Sequence, residues 1–360
     1  MSSPSSNNRY NSFLENRSMF IDPHVHCRDG KQSYKETIVH ALSVAERAGF
    51  TAIFDMPNTD PPIFTFQQAK ERIELASKAK SPVWYGLYVG LTAGVGQIKE
   101  AVRAHDTLSN VVGFKLYAGH SVGKIGVTTE NEQKLIYKML AELGYTGVIA
   151  VHCEKDSLLK PYLWDPLQPS SHAAARPPSA EVESVKDQIT FAREAGFKGT
   201  LHIAHISVPE AVDIVDKARK TMNITCGVTP HHCLFGTEML ERKNGLLYKM
   251  NPPLRIKSMA EQMRDYLKEG KIDWIETDHA PHTQEEKQNE PYLSGVPGLP
   301  FYPRFIEFLK RDMSAAMIKK ITFDNIIKNF WLELKQREAV PALDLTGEYP
   351  FDVYAGFIWS

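Results

Sequence analysis

From about residue 19 the chain alternates short apolar, β-branched runs with longer segments in which apolar residues return every three or four positions. The first kind reads as strand and the second as amphipathic helix. The predicted strands are "MFIDPHVH", "TAIFDMPN", "VWYGLYVG", "VVGFKLYA", "GVIAVHCE", "TLHIAHIS", "NITCGVTPHH" and "IDWIETDHA". Between them, "SYKETIVHALSVAERAG", "TFQQAKERIELASKAK", "TENEQKLIYKMLAELG", "SAEVESVKDQITFAREAG" and "VPEAVDIVDKARK" read as amphipathic helices with Gly or Lys near their ends. A strand–helix unit repeated in this way predicts a closed α/β barrel of the (β/α)8 TIM type rather than an open doubly wound sheet. No GxGxxG turn follows the first strand, which counts against dinucleotide binding. Residues 1–17 lack periodicity and are expected to be a disordered tail, leaving 18–360 as a single barrel domain. The stretch after residue 310 carries no run of strands, so little or no accessory β-sandwich is expected.

Composition narrows the function classes. The chain has 360 residues, 42% hydrophobic and 24% charged, the balance of an ordinary soluble globular protein. A formal net charge of -1 removes any broad electrostatic argument for a nucleic-acid or membrane partner, leaving a small-molecule substrate; self-association into a homo-oligomer is compatible with it. No apolar run approaches the ~20 residues that span a bilayer, and the Ser/Asn-rich start is a cytoplasmic pattern. Cys27, Cys153, Cys226 and Cys233 show no CxxC pairing, so neither a zinc ribbon nor a disulfide framework is suggested. Cys27, Cys153 and Cys233 each follow a His and read as small buried residues near a site.

The chemistry lies at the strand ends. In "DPHVHCRDG" the alternation of a strand turns His24 and His26 to one face and Val25 to the other, a ready bidentate metal site. Asn58 follows the second strand, Lys115 lies in the fourth, His152 ends the fifth, His205 the sixth and Asp278 the eighth. In a barrel those ends converge on one face, where the βα loops build the active site. A scattered set of core histidines would not keep that register.

These residues resemble the amidohydrolase superfamily, and the finer motifs are similar to those of the dihydroorotase family. The motifs are "DPHVHCRDG", "MPNT" at 56–59, "GFKLYAG" at 113–119, "HIAHIS" at 202–207, "VTPHH" at 228–232, "NPPLR" at 251–255 and "ETDHAPH" at 276–282. The resemblance implies that Lys115 is carboxylated and that its carbamate, with a hydroxide, bridges two zinc ions. One zinc would take His24, His26 and Asp278, the other His152 and His205. Asp278 would also carry a proton to the departing ring nitrogen. In "HIAHIS" the resemblance favours His205 as the ligand; His202 is expected one layer deeper and on the opposite face, as a packed or supporting histidine. Glu276, on the side of Asp278 but deeper, is read as support.

The implied activity is reversible, zinc-dependent cyclisation of N-carbamoyl-L-aspartate to L-dihydroorotate in pyrimidine biosynthesis. Arg28, two positions beyond the second histidine, leans to the same mouth and offers a planar fork for the substrate carboxylate. Asn58 and His282 can donate further hydrogen bonds, while Asn251 and the backbone around Gly298 would hold the ring amides. The rival readings are another cyclic amidase, of the hydantoinase, dihydropyrimidinase or allantoinase type, and a noncatalytic scaffold relative. Arg28 with Asn58 argues against the first and the complete ligand set against the second. His231 and His232 are open between pocket lining and structure; for His172 and Arg176 the alternatives are reach into the active site and a solvated loop near a helix start, and the loop reading is favoured. Glycines at 119, 123 and 126 permit motion in the loop after the lysine strand, over the substrate.

Overall fold

The computed structural model describes residues 20–120, 125–334 and 341–355, with 357 and 359. The expected tail at 1–17 and residues 121–124 of the glycine-bearing loop lie outside the described residues. The strands are β1 (Phe20–Val25), β2 (Phe50–Asp55), β3 (Trp84–Gly90), β4 (Val111–Ala118), β5 (Val148–Cys153), β6 (Thr200–Ile203), β7 (Ile224–Val228) and β8 (Trp274–Ile275). They form one sheet in chain order, each parallel to the next, and a bridge between Val25 and His279 brings the chain after β8 back beside β1. The chain is therefore a nearly closed (β/α)8 barrel, as the alternation of patterns predicts. All the strands found among the described residues belong to it.

The helices α1 (Ile38–Arg47), α2 (Phe66–Ser77), α3 (Val95–Thr107), α4 (Glu130–Glu142), α5 (Pro178–Glu194), α6 (Pro209–Ala218) and α7 (Lys257–Lys268) lie between strands; α8 (Tyr302–Leu309) and α9 (Asn325–Phe330) follow β8. Local chemistry starts and stops them. Thr37, Thr65 and Thr129 accept from backbone N–H groups in the first turns of α1, α2 and α4, and Pro opens α5 and α6 where a missing N–H costs nothing. Gly49 and Gly196, both in the left-handed region, end α1 and α5. Helices α3 and α7 are additions to the pattern-based reading. Glycines at 94 and 96 blur the start of α3, and α7 buries only the sparse stripe Ala260, Met263, Tyr266 and Leu267.

The barrel is layered from apolar floor to polar mouth. Ile21, Val112, Val148 and Trp274, near their strand beginnings, and Phe54 and Tyr88, further along theirs, fill the interior together with Phe323, Ile326 and Phe330 from beyond β8. The ring of Phe330 lies 5.1 Å from that of Phe54 and 5.9 Å from that of Trp274. A larger apolar belt joins the outer strand faces to the helices, and Val25 belongs to it, so His24 and His26 do face away from Val25. This continuous burial leaves the strand ends as the place where polar side chains gather.

Several strands end earlier than expected. β1 stops at Val25 and β7 at Val228, leaving His26 just beyond its strand and His231 and His232 in a short helix, Pro230–Leu234. β6 stops at Ile203 and β8 at Ile275, so His205 and Asp278 stand beyond their strands rather than at the last pleat. Both have positive φ, 39° and 49°, as does Arg28 at 44° after β1. Such conformations cost a non-glycine residue on the order of 1–3 kcal/mol, and here they fall on residues whose side chains reach the mouth.

Candidate active site

At the mouth, His24, His26 and Asp278 offer ligand atoms that all lie within 4.8 Å of one another. Asp278 Oδ1 is 2.9 Å from His26 Nε2 and 3.4 Å from His24 Nε2. Opposite them, His152 Nδ1 and His205 Nε2 face each other at 3.3 Å, and the His24 and His205 rings are 5.0 Å apart. Lys115, fully buried on β4, lies near enough to His24, His152 and His205 for its charge to act on all three. The six residues expected as metal ligands are thus brought together by five different strands or their ends.

Three polar atoms of this group are buried without a hydrogen-bond partner: Lys115 Nζ, His24 Nδ1 and His205 Nδ1. A buried amine with no acceptor is costly unless another group completes it. Burial lowers the Lys115 pKa to about 8, which favours the neutral, nucleophilic amine. Burial, reinforced by the Lys115 charge, pushes His24 down to about 4 and His205 well below its ordinary value; His26 and His152 are lowered by burial too. Neutral imidazoles are what a cation requires of its ligands. For Asp278, burial opposes ionisation, but the hydrogen bond from His26 and the nearby His24 outweigh it and hold the carboxylate ionised. The donor set fits a divalent transition metal.

A supporting layer orients the imidazoles. Glu154, two residues beyond His152 and just past the end of β5, lies 2.9 Å from His152 Nε2 and leaves Nδ1 turned to His205. Arg176 Nε donates to both Glu154 oxygens at 3.0 Å. Glu276 forms the floor between the two halves of the cluster. It accepts from His202 Nε2 at 3.0 Å, from Trp274 Nε1 at 3.2 Å and from the backbone N–H of His205. His202 also meets Thr225 Oγ1 at 3.0 Å and stacks on Trp274. It therefore faces the barrel interior, beneath His205, and the expectation that it points to the opposite face is corrected. The physical reason is the end of β6 at Ile203: strand alternation no longer relates residues 202 and 205. His279 is not exposed to the mouth but held by Glu36 at 3.1 Å and by the backbone N–H of Gly298.

The cavity above these groups, about 390 Å³ including its opening, is lined by His24, His26, Arg28, Asn58, Tyr117, His152, His205, Asn251, Asp278, Ala280, Ser294 and Gly295. Arg28 is buried; its Nε donates to the Pro281 carbonyl at 3.2 Å and its Nη2 lies 3.2 Å from His282 Nε2. Asn58 sets its side-chain oxygen against His26 Nδ1 at 2.5 Å, so it steers that ligand as well as lining the cavity. Asn251 reaches the cavity with its oxygen 2.9 Å from His172 Nε2.

Two expected contacts lie one step away. His282 stands behind Arg28, bounded by Lys35 Nζ at 3.2 Å and the Ser294 carbonyl at 3.0 Å. Gly298 is outside the cavity because its N–H is taken by His279; Ser294 and Gly295 of the same segment line the cavity instead. Neither His231 nor His232 lines it. His232 meets Thr229 Oγ1 at 2.8 Å and the Pro252 carbonyl at 3.1 Å, and His231 lies 3.4 Å from the Tyr354 hydroxyl. All four cysteines are buried, as expected for Cys27, Cys153 and Cys233.

Sequence reasoning gave no role to Glu154 or Tyr117, although a signal existed for both. Each is a polar residue two positions from a candidate ligand on the same predicted strand, in "HCE" and "KLY". His172 and Arg176, read as loop residues, reach the site through Asn251 and Glu154.

No family model matches the chain. Among curated proteins it is similar to the dihydroorotase of Methanosarcina mazei, 31% identical over 84% of this chain and 65% of that one. A dihydroorotase of Brevibacillus brevis is 34% identical over 75% of this chain and 62% of its own length. One from Methanothermobacter thermautotrophicus is 32% identical over 89% of this chain and 70% of its own. The chain thus spans just under two thirds of the first two relatives' length. Among solved structures, the L-hydantoinase (dihydropyrimidinase) of Arthrobacter aurescens superposes with a TM-score of 0.75 at 23% identity, covering 87% of this chain and 70% of that one. The dihydropyrimidinase of Brevibacillus agri gives 0.72 at 21%, covering 86% and 70%. These last two likenesses concern the fold. No helix among the described residues is long and apolar enough to cross a membrane.

Proposed function

The chain belongs to the dihydroorotase family, and from that membership we propose that it catalyses the reversible cyclisation of N-carbamoyl-L-aspartate to L-dihydroorotate and water, in pyrimidine biosynthesis. Residues 18–360 are read as the unit that does this. The observation that carries the reading is the convergence of His24, His26 and Asp278 with Lys115, His152 and His205 beside a buried Arg28.

In this reading His24, His26 and Asp278 would hold one zinc ion and His152 and His205 a second, and Lys115, once carboxylated, would add an anionic ligand to the set. The orphaned Lys115 Nζ, favoured as a neutral amine by burial, supports that step: the amine adds to carbon dioxide and releases a proton. When bound, the metal pair would polarise the amide carbonyl and lower the pKa of water enough to make it a nucleophile near neutral pH. The protein's own groups do the rest. Asp278 faces both imidazoles through Oδ1, leaving its second oxygen to take a proton from the attacking water and pass it to the ring nitrogen. Arg28, with Nε and Nη2 held by Pro281 and His282, is oriented to receive the substrate carboxylate on its remaining donors. Asn251 and the backbone at Gly295 are in reach of the ring amides.

The test is the rate of ring opening of L-dihydroorotate against hydantoin, allantoin and dihydrouracil, with metal content determined on the same sample. Arg28→Met removes a charge-assisted contact worth on the order of 2–5 kcal/mol, so kcat/KM on dihydroorotate should fall roughly thirty-fold or more with metal content unchanged. Dihydrouracil, which lacks the carboxylate, should be a poor substrate and indifferent to the change. Equal losses on both rings would favour a hydantoinase-type activity.

A further inference from the structure

One polar atom in the cavity has no assignment in the reading above. The Tyr117 hydroxyl lies in a residue only 5% exposed, lines the cavity, and has no hydrogen-bond partner. Hydroxyls of Tyr88 and Tyr302 are likewise unpartnered, but neither residue lines the cavity. Tyr117 follows Lys115 by two positions on β4 and so shares its face, one layer nearer the mouth. The Lys115 Nζ is 5.1 Å from the centre of its ring, and the His152 ring is 6.2 Å away. A phenol kept dry and unpaired beside reacting groups is destabilising in the free protein unless a ligand completes it.

We infer that Tyr117 donates its hydroxyl hydrogen bond to the carbonyl oxygen of the scissile ring amide, and does so most strongly as that oxygen becomes an alkoxide. This rests on the reading of the cavity as a cyclic-amide site. The oxygen of water bonds to the carbonyl carbon while the carbonyl π pair moves onto oxygen, and the water proton passes to Asp278. The C–N bond then breaks as the π pair returns, and nitrogen takes the proton from Asp278. Amide and water thus become carboxylic acid and ureido amine, with no other reactant. A fixed donor at the oxygen helps the transition state more than the ground state, because negative charge grows there. Arg28 reads what is peculiar to one substrate, whereas Tyr117 reads an atom that every cyclic amide carries.

Tyr117→Phe in the metal-loaded full-length protein removes that oxygen and nothing else. On L-dihydroorotate and on dihydrouracil alike, kcat should fall on the order of a hundredfold while KM changes by less than about threefold. Metal content should be unchanged, and the thermal midpoint equal or higher, since an unpaired buried hydroxyl is gone. A kcat within about threefold of wild type overturns the assignment. So does a parallel loss of metal, which would mean that the phenol supports the lysine rather than the substrate. The substrate reading is judged separately, by which ring the wild type opens, and Tyr117 is judged on whichever ring that is. A wild-type protein that opens neither overturns both.

Discussion

The two halves of the ligand cluster are built differently. On the β1 and β8 side, His24 and His26 share an anionic partner in Asp278, and the outer nitrogen of His26 meets only a neutral amide, Asn58. On the β5 and β6 side, His152 and His205 have no carboxylate among the ligand atoms; the charge stands one step back, in Glu154 behind His152. For a divalent cation the first half is nearly sufficient by itself. The second half brings no carboxylate of its own, and under the proposed reading a carboxylated Lys115 would supply the negative charge it lacks. A carboxylate behind an imidazole also raises its basicity as a ligand, and each half has one: Glu154 behind His152, and Glu276 with its Oε1 3.7 Å from His24 Nδ1.

Three measurements would sharpen or break that comparison. The largest effect is expected from Lys115→Ala, which should abolish turnover and empty the His152/His205 position before the His24/His26/Asp278 position. Metal content by titration with a chelator would resolve the two steps, and short-chain carboxylic acids should restore part of the activity. Loss of both metals together would mean that the built-in carboxylate does not distinguish the halves. A smaller effect should follow from Glu154→Gln, which leaves every ligand in place. Metal affinity of the poorer half should fall ~10–100-fold, with the richer half unaffected. An equal loss on both sides would make Glu154 a general packing residue.

The smallest and least selective effect is on the stability of the metal-stripped protein. Burial holds His24 at about 4 and lowers His26, His152 and His205, whereas the unfolded imidazoles titrate at their ordinary 6.5. Between those values the unfolded chain binds more protons, so stability falls as pH drops through that window, by up to ~1.4 kcal/mol per pH unit for each such group. Urea midpoints measured at neutral and mildly acid pH should show the decline, and loading with zinc should suppress it at the neutral end. Unchanged midpoints would mean that these imidazoles are charged in the fold.

Much of this arrangement was legible from local pattern. Alternating strand and helix periods determined the barrel, and the extended pattern of "HVH" at the end of β1 predicted that His24 and His26 share a face, because both follow from backbone geometry over a few residues. The convergence of His152, His205 and Asp278 followed from their positions at or just beyond strand ends, and that of Lys115 from its place within β4. Where a strand stopped early, the same reasoning failed: His202 faces the interior because β6 ends before His205. Gly298 reads from sequence like any cavity glycine, but His279 claims its N–H and Gly295 takes the place at the cavity wall.

What only the tertiary structure decided is which atom of each side chain meets which partner. The nitrogen His26 turns to the site depends on Asp278, 252 positions away, and on Asn58. That of His152 depends on Glu154, which Arg176 anchors from another loop. Residue types and periods are properties of short stretches of chain. Imidazole orientation, the lowered pKa of Lys115 and the unpaired state of Tyr117 are set by which distant groups share the same dry volume, and only barrel closure brings those together.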